Sequence, residues 1–209
     1  MSVETIAVDI ISADHLISRA QKGDEKAFNQ LVNHWYKRIY NYVLKYCTEE
    51  DLATELAQKT FIAVFKNLKT LKNTESFKPW IYRIATNFCH EEARRQARNK
   101  MHSIATQEHE EEKHTHDQAI AESRMFNPER SFQQSELAKI VFEYIGELPD
   151  EQRCVVLMKE YEGFKFHEIA EALSTSENTV KTRLYRGLRF LKKRLEEQNI
   201  TRETIHYEL

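Results

Sequence analysis

FHEIAEALSTSENTVKTRLYRGLRFLKKRL, residues 166–195, is the stretch on which the reading of this chain turns. It divides into a short amphipathic helix, a polar turn and a longer helix with basic residues along one side. Phe166, Ile169, Ala170 and Leu173 keep helical spacing and give the first helix one apolar face. Ser174, Thr175 and Ser176 interrupt it, and a hydroxyl there accepts from the free N–H groups that open the next helix. Glu177 places an acid in that helix's first turn, where the dipole favours it. Val180, Leu184, Leu188, Leu191 and Leu195 form a buried stripe, and Lys181, Thr182, Tyr185, Arg186 and Arg189 fall largely outside it. The pattern is a helix-turn-helix, in which one helix braces and the next enters a major groove. A basic helix face alone is usually just solvated. With the turn and the bracing helix beside it, the pattern points to DNA as ligand.

Composition bounds the rest. The chain has 209 residues, enough for one or two domains, and only 4 Gly and 3 Pro, which argues against a loop-rich β protein. No apolar run reaches membrane-spanning length, and the first residues lack a charged start followed by an apolar block. A cytoplasmic protein without membrane insertion is expected. Cys47, Cys89 and Cys154 are far apart and form no CxxC pair, so they read as buried free thiols. Net charge is −2, low for a strong stand-alone DNA binder, but it is segregated. Arg94, Arg95, Arg98 and Lys100 form one basic zone and Lys181 to Arg194 another, with acids around Glu49–Glu55 and Glu108–Glu112. Two DNA contacts and a separate partner surface are the implication.

The expected fold is all-α: two small helical domains joined by a flexible linker, the second carrying the helix-turn-helix. The first domain spans 12–100. Its stripes are Phe28, Leu31, Trp35, Ile39, Tyr42 and Tyr46; then Leu52, Leu56, Phe61, Val64, Phe65 and Leu68; then Phe77, Trp80, Ile81, Ile84, Ala85 and Phe88. The linker spans 101–133 and is polar, acidic and histidine-bearing. The second domain spans 134–197. Leu148-Pro149 ends one helix there and starts another, and Gly163 is a helix stop.

Four segments in order carry a resemblance: AFNQLVNHWYKRIYNYVLKYC from Ala27, ELAQKTFIAVFKNL from Glu55, FKPWIYRIATNFCHEEARRQAR from Phe77, and LPDEQRCVVLMKEY onward from Leu148. Together the chain resembles a bacterial RNA polymerase sigma factor of the extracytoplasmic-function type, over all but the linker and both ends. The resemblance implies promoter recognition without covalent chemistry. It implies core RNA polymerase, promoter DNA and an anti-sigma factor as partners, with the chain a monomer within the holoenzyme. It places polymerase binding at Glu55, Gln58 and Phe61, and minus-ten recognition at Trp80, Arg83, Asn87, Arg94, Arg95 and Arg98. Minus-thirty-five recognition falls to Asn178, Lys181, Thr182, Arg183, Tyr185, Arg186 and Arg189. Phe61 reads equally as core, Trp80 as packing, and Arg183 as a local ion-pair partner. Three departures stand out: Lys59 replaces a common Glu, Ser174 and Asn178 occupy turn positions where glycine is usual, and the linker is longer and more acidic than the shortest members of the family need. Asn tolerates left-handed backbone better than most residues, so the turn survives these replacements.

Other classes fare less well. A stand-alone helix-turn-helix regulator would need a dimer interface or an effector pocket in the first domain. An enzyme lacks any Gly-rich phosphate loop or HExxH, and adjacent Cys89 and His90 point about 100° apart on a helix. His102, His109, His114 and His116 sit among acids, but a polar linker offers no fixed zinc geometry, so neither metal nor cofactor is expected. Gly187 lies inside the recognition helix at a cost of about 1 kcal/mol relative to Ala, which close packing on a neighbouring helix would explain.

Overall fold

The computed structural model describes residues 14–106 and 136–200, and among these every regular element is helical. A short helix α1 (14–21) leads into α2 (Glu25–Cys47). Arg19 grips the carboxylate of Asp24 at 2.6 and 2.9 Å, and Asp24 in turn accepts from the Ala27 N–H at the start of α2. Thr48 closes α2 in left-handed backbone, with φ 62°. Helix α3 (Glu50–Asn67) follows, then two short 3-10 turns, then α4 (Phe77–Thr106). Gln21 reaches from α1 to the carbonyls of Leu68 and Leu71, the first of which also accepts from the Leu71 N–H at 3.2 Å.

The three long helices form a bundle around Leu31, Trp35, Ile39, Tyr42, Leu56, Val64, Phe77 and Ile81, all buried. Helix α4 continues to Thr106, six residues beyond the expected domain end at Lys100. His102 therefore lies within α4, while His109, His114, His116 and most of the expected linker lie outside the described residues. Phe65 departs from its expected place in the core stripe. It is 63% exposed and meets Phe28 edge-on at 5.0 Å.

The second module starts with α5 (Glu136–Glu147). Pro149 caps α6 (Asp150–Val156), which runs on into a π-helical turn over Leu157–Tyr161. Gly163, at φ 65°, ends it, as the sequence predicts. Helices α7 (Phe166–Leu173) and α8 (Glu177–Glu197) complete the module. Gly187 is buried where α8 crosses α6, and a Cβ there would stand 2.9 Å from Cγ2 of Val156.

The two modules are packed on each other, which the sequence did not suggest. Tyr82 of α4, 1% exposed, meets Phe164 edge-on at 4.8 Å, and its hydroxyl donates to Glu162. Arg153 of α6 donates to the Tyr46 carbonyl at 3.3 Å and lies over the Tyr46 ring. Arg83 of α4 donates to the carbonyls of Glu171 and Ala172 at the end of α7. The reason is a second face on α4. Tyr82, Thr86 and Cys89 are all buried, and they lie off the Phe77–Ile81–Ala85 stripe. An element apolar on two sides needs cover on both.

Gly187→Ala should lower stability by about 1–3 kcal/mol through overpacking against rigid, buried Val156, despite alanine's better helix propensity. In a Val156→Ala background the same change should instead stabilise, by up to about 1 kcal/mol. A double-mutant cycle by denaturant unfolding measures this change of sign.

Candidate functional site

The helix-turn-helix is built by backbone accounting. Ser174 takes left-handed backbone, φ 50° and ψ 47°, and ends α7. The Thr175 N–H then donates to Ala170 O at 3.0 Å and the Ser174 N–H to Glu171 O at 3.3 Å, the paired bonds of a Schellman ending. So Ser174 carries the left-handed residue, while Asn178 lies inside α8 as a regular helical residue. Ser176 caps α8, its hydroxyl accepting from the Thr179 N–H at 3.1 Å. Val180, Leu184 and Leu191 bury the inner side of α8.

The outer side presents Asn178, Thr182, Tyr185, Arg186 and Arg189 to solvent, and Tyr185 is 62% exposed. Lys181 is half-buried and rests its ammonium over the Phe166 ring at 5.4 Å. Arg183 differs from these neighbours. It turns inward and pairs with Glu151 of α6 at 2.5 Å, so it braces the module. The six other candidates form one continuous strip about three turns long, with cations, hydroxyls, an amide and an aromatic ring. That mixture suits phosphate and base-edge contact.

The candidates on α4 divide as well. Arg94 and Arg98 are exposed. Arg95 is exposed but held by Glu92 through two 2.8 Å bonds, and these bonds draw the Glu92 carboxyl below its ordinary range. Trp80 is half-buried, its ring 5.9 Å from Phe77. Arg83 and Asn87 line a cleft of about 350 Å³ at the seam, opposite Ser174, Thr175 and Arg183. Trp80 and Arg83 are thus largely committed inside the protein, whereas Asn87, Arg94 and Arg98 face outward.

On α3 the polymerase-binding set needs one correction. Glu55 and Gln58 are exposed, and Glu55 pairs with Lys59 at 2.5 Å. Phe61 is 7% exposed and stacks at a tilt on Tyr36, so it belongs to the core. Its outward neighbours are Ile62 and Phe65, 55% and 63% exposed. Glu55, Gln58, Ile62 and Phe65 lie at helical steps along one side, so two large apolar side chains stand in water there next to a carboxylate. The clue in the sequence was an apolar content too large for one stripe.

The cysteines play no visible part in either surface. Cys89 and Cys154 are buried and Cys47 half-buried, all three as free thiols, and burial pushes the Cys154 thiol up to about 12. Among the described residues no group of three potential ligands could hold a metal ion, and no helix is long and apolar enough to cross a membrane.

A helix-turn-helix with a basic outer face, a second cationic helix and a separate exposed apolar face fit a helical transcription factor of the DNA-binding class. Comparison with known proteins sharpens this. Residues 31–99 match the sigma-70 region 2 family, and residues 139–191 match sigma-70 region 4. The ECF RNA polymerase sigma-E factor of Escherichia coli strain K12 is 30% identical over 176 residues, covering 82% of this chain and 88% of that protein. The factor of the same name from Haemophilus influenzae is 27% identical over 181 residues, 87% of this chain and 94% of that one. The chain belongs to the extracytoplasmic-function RNA polymerase sigma factors of the sigma-70 family. It is a promoter-specific transcription initiation factor. Two solved structures share the fold. CnrH, in complex with the cytosolic domain of CnrY, has a TM-score of 0.61 at 20% identity, over 89% of this chain and 98% of that one. RpoE from Bartonella quintana, in complex with the anti-sigma factor NepR, has a TM-score of 0.63 at 18% identity, over 82% and 98%.

Phe61→Ala should cost about 3–5 kcal/mol of unfolding free energy, as for a filled aromatic core site. Ile62→Ala, one residue away, should cost less than about 0.5 kcal/mol. Urea midpoints of the two variants test the assignment of inward and outward faces.

Proposed function

We propose that this sigma factor docks on core RNA polymerase through Glu55, Gln58, Ile62 and Phe65 of α3, and reads two promoter elements. Helix α8 takes the minus-thirty-five element in the major groove, using Asn178, Lys181, Thr182, Tyr185, Arg186 and Arg189. Helix α4 takes the minus-ten element, using Arg83, Asn87, Arg94, Arg95 and Arg98, with Trp80 a support for the surface on which unpaired bases stack. Arg183 acts indirectly, by fixing α8 on α6. No bond is made or broken: the protein positions the polymerase, in the cytoplasm, as a monomer within the holoenzyme. The observation that carries this reading is the outer strip of α8, cationic and aromatic, opposite the buried Val180, Leu184, Gly187 and Leu191. An anti-sigma factor is a further expected partner, by likeness to CnrH and RpoE, which were solved with CnrY and NepR.

Lys181→Ala with Arg186→Ala should cut promoter-specific transcription by core polymerase at least about tenfold. It should flatten the salt dependence of promoter binding by roughly one counterion per lost phosphate contact, and leave core binding unchanged. Unaltered run-off transcription would remove α8 from its assigned role. A repressor of similar fold would not replace the initiation factor in that assay at all.

Ile62→Ala with Phe65→Ala should weaken association with core polymerase by at least about tenfold, the scale of interface hot spots, with little change in folding. Binding of the labelled variant to purified core, followed by fluorescence anisotropy, reads this directly.

A further inference from the structure

We propose that a cationic cleft between α2, α4 and the Tyr161–Glu162 turn is a binding site for a small-molecule polyphosphate, either inorganic or carried as the di- or triphosphate tail of a nucleotide. None of the lining residues belongs to the promoter or polymerase surfaces, so the proposal stands apart from that reading.

Helical spacing builds the first wall. Lys37, Asn41 and Lys45 recur at four-residue steps on α2, with Arg38 beside them, so one face of that helix brings three cations and an amide to the cleft. Lys78 and Tyr82, also four residues apart, supply the α4 wall. Tyr161 and Glu162 complete it from the second module, around a volume of about 530 Å³. Small-molecule sites commonly fall between about 300 and 1,000 Å³. The whole chain has a net charge of −2, yet among the described residues that line this cleft four cations stand against one carboxylate, Glu162. That carboxylate already accepts from the Tyr82 hydroxyl.

The state of the cations is the second reason. Arg38 lies over the Trp35 ring at 5.4 Å, Lys45 over Tyr161 at 5.5 Å and Lys78 over Phe164 at 3.9 Å. Among the described residues none of these three makes an ion pair. A ring face orients a cation without taking up all its N–H donors, of which a guanidinium has five and an ammonium three. Burial, with Arg38 and Lys165 nearby, holds the Lys78 ammonium below its ordinary range, although Glu168 and Glu162 act the other way. Like charges are therefore gathered at a partly desolvated place, an arrangement that costs free energy until an anion enters.

The spread of the charges sets the ligand class. Lys37 and Lys45 are eight residues apart, about 12 Å along the helix. A lone carboxylate or phosphate meets one end of that row. Linked phosphoryl groups reach along it and offer several oxygens to Arg and Lys donors. Asn41 and half-buried Tyr161 add an amide and a ring beside which a base fits. Walls from both modules suit a compact ligand better than a passing strand of nucleic acid.

Isothermal titration calorimetry on the full chain tests this, with inorganic pyrophosphate, ADP, AMP and inorganic phosphate as separate probes. Pyrophosphate or ADP should bind at one molecule per chain, and AMP and phosphate at least about tenfold more weakly. ADP no tighter than pyrophosphate identifies an inorganic ligand, and tighter ADP a nucleotide. Arg38→Ala with Lys45→Ala should weaken binding at least about tenfold, the scale of one charged hydrogen bond. Lys72→Ala with Lys193→Ala removes the same charge at exposed positions outside the cleft and should leave affinity unchanged. Glu162→Gln should tighten binding severalfold, a gain that misfolding does not produce. The proposal fails if neither pyrophosphate nor ADP binds at millimolar concentration, or if AMP and phosphate bind as tightly. It fails equally if the cleft pair binds like the parent, if the control pair weakens binding as much, or if Glu162→Gln weakens it. A short single-stranded oligonucleotide that displaces pyrophosphate would also overturn it, assigning the cleft to nucleic acid.

Discussion

Helix α4 is clothed on two sides, and the placement of nearly everything else follows from that. One side gives Phe77, Ile81 and Ala85 to the bundle of α2 and α3. The other gives Tyr82 to Phe164 of the second module, while Thr86 beside it, also buried, bonds back to Tyr42 of α2 at 2.8 Å. A helix with apolar stripes on both flanks leaves roughly 25 cal/mol per Å2 in water until something covers it. Phe164 and the end of α7 do so here. Three strongly polar groups at this seam carry partners: Arg83 has carbonyls, Tyr82 has Glu162, and Arg153 has the Tyr46 carbonyl together with Gly146 and Leu148. Burial therefore positions the second module, and hydrogen bonding fixes its register.

The aim of the recognition helix has a different origin. Ion pairs surround α8, Arg183 to Glu151 and Arg194 to both Glu147 and Glu197. Exposed pairs of this kind each contribute about 0–1 kcal/mol, too little to set a helix axis. Packing does more. Val180, Leu184 and Leu191 seat α8, and Gly187 lets its backbone approach Val156 more closely than any side chain would allow. The turn before it is held at both ends, by the Schellman pair at Ser174 and the Ser176 cap. Left-handed backbone at a serine is mildly costly. The carbonyls it satisfies, and Arg83 beyond them, offset that cost.

Much of this was legible in the sequence, for reasons of period. The helix-turn-helix was readable because its apolar steps, its serine cap and its glycine all point the same way. Helix α3 was less so. Leu52, Ala53, Leu56, Ala57, Phe61 and Val64 are buried, while Ile62 and Phe65 are not. Apolar residues cover more than half that helix's circumference, so spacing alone cannot say which edge faces out. Phe61 was therefore named for the partner surface, although it is buried and Ile62 and Phe65 are the exposed residues beside it. Ser174 and Asn178 were both plausible at the turn. Asn has the better propensity, but the hydrogen-bond register places the left-handed residue at Ser174. The seam was not legible at all. Its stripe on α4 is a tyrosine, a threonine and a cysteine, residues whose polarity hides an apolar role until a neighbour is in place.

Similar arginines in the sequence also prove to be different in kind. Arg95 is held by Glu92 and Arg183 by Glu151, so each has part of its charge already answered. Arg83 is engaged across the seam. Arg94, Arg98, Arg186 and Arg189 remain exposed. With a net charge of −2 for the whole chain, long-range attraction to DNA is weak, and only local cations favour contact. Each phosphate contact gains its free energy by releasing a counterion, and a handful of such contacts loses orders of magnitude in affinity near physiological salt. On the reading proposed here, the polymerase supplies what the charge does not. Tethered through α3, the two reading helices meet the promoter at a high effective concentration. Weak intrinsic affinity then becomes useful, because an untethered chain spends little time on DNA and the choice of promoter is made by the assembled enzyme.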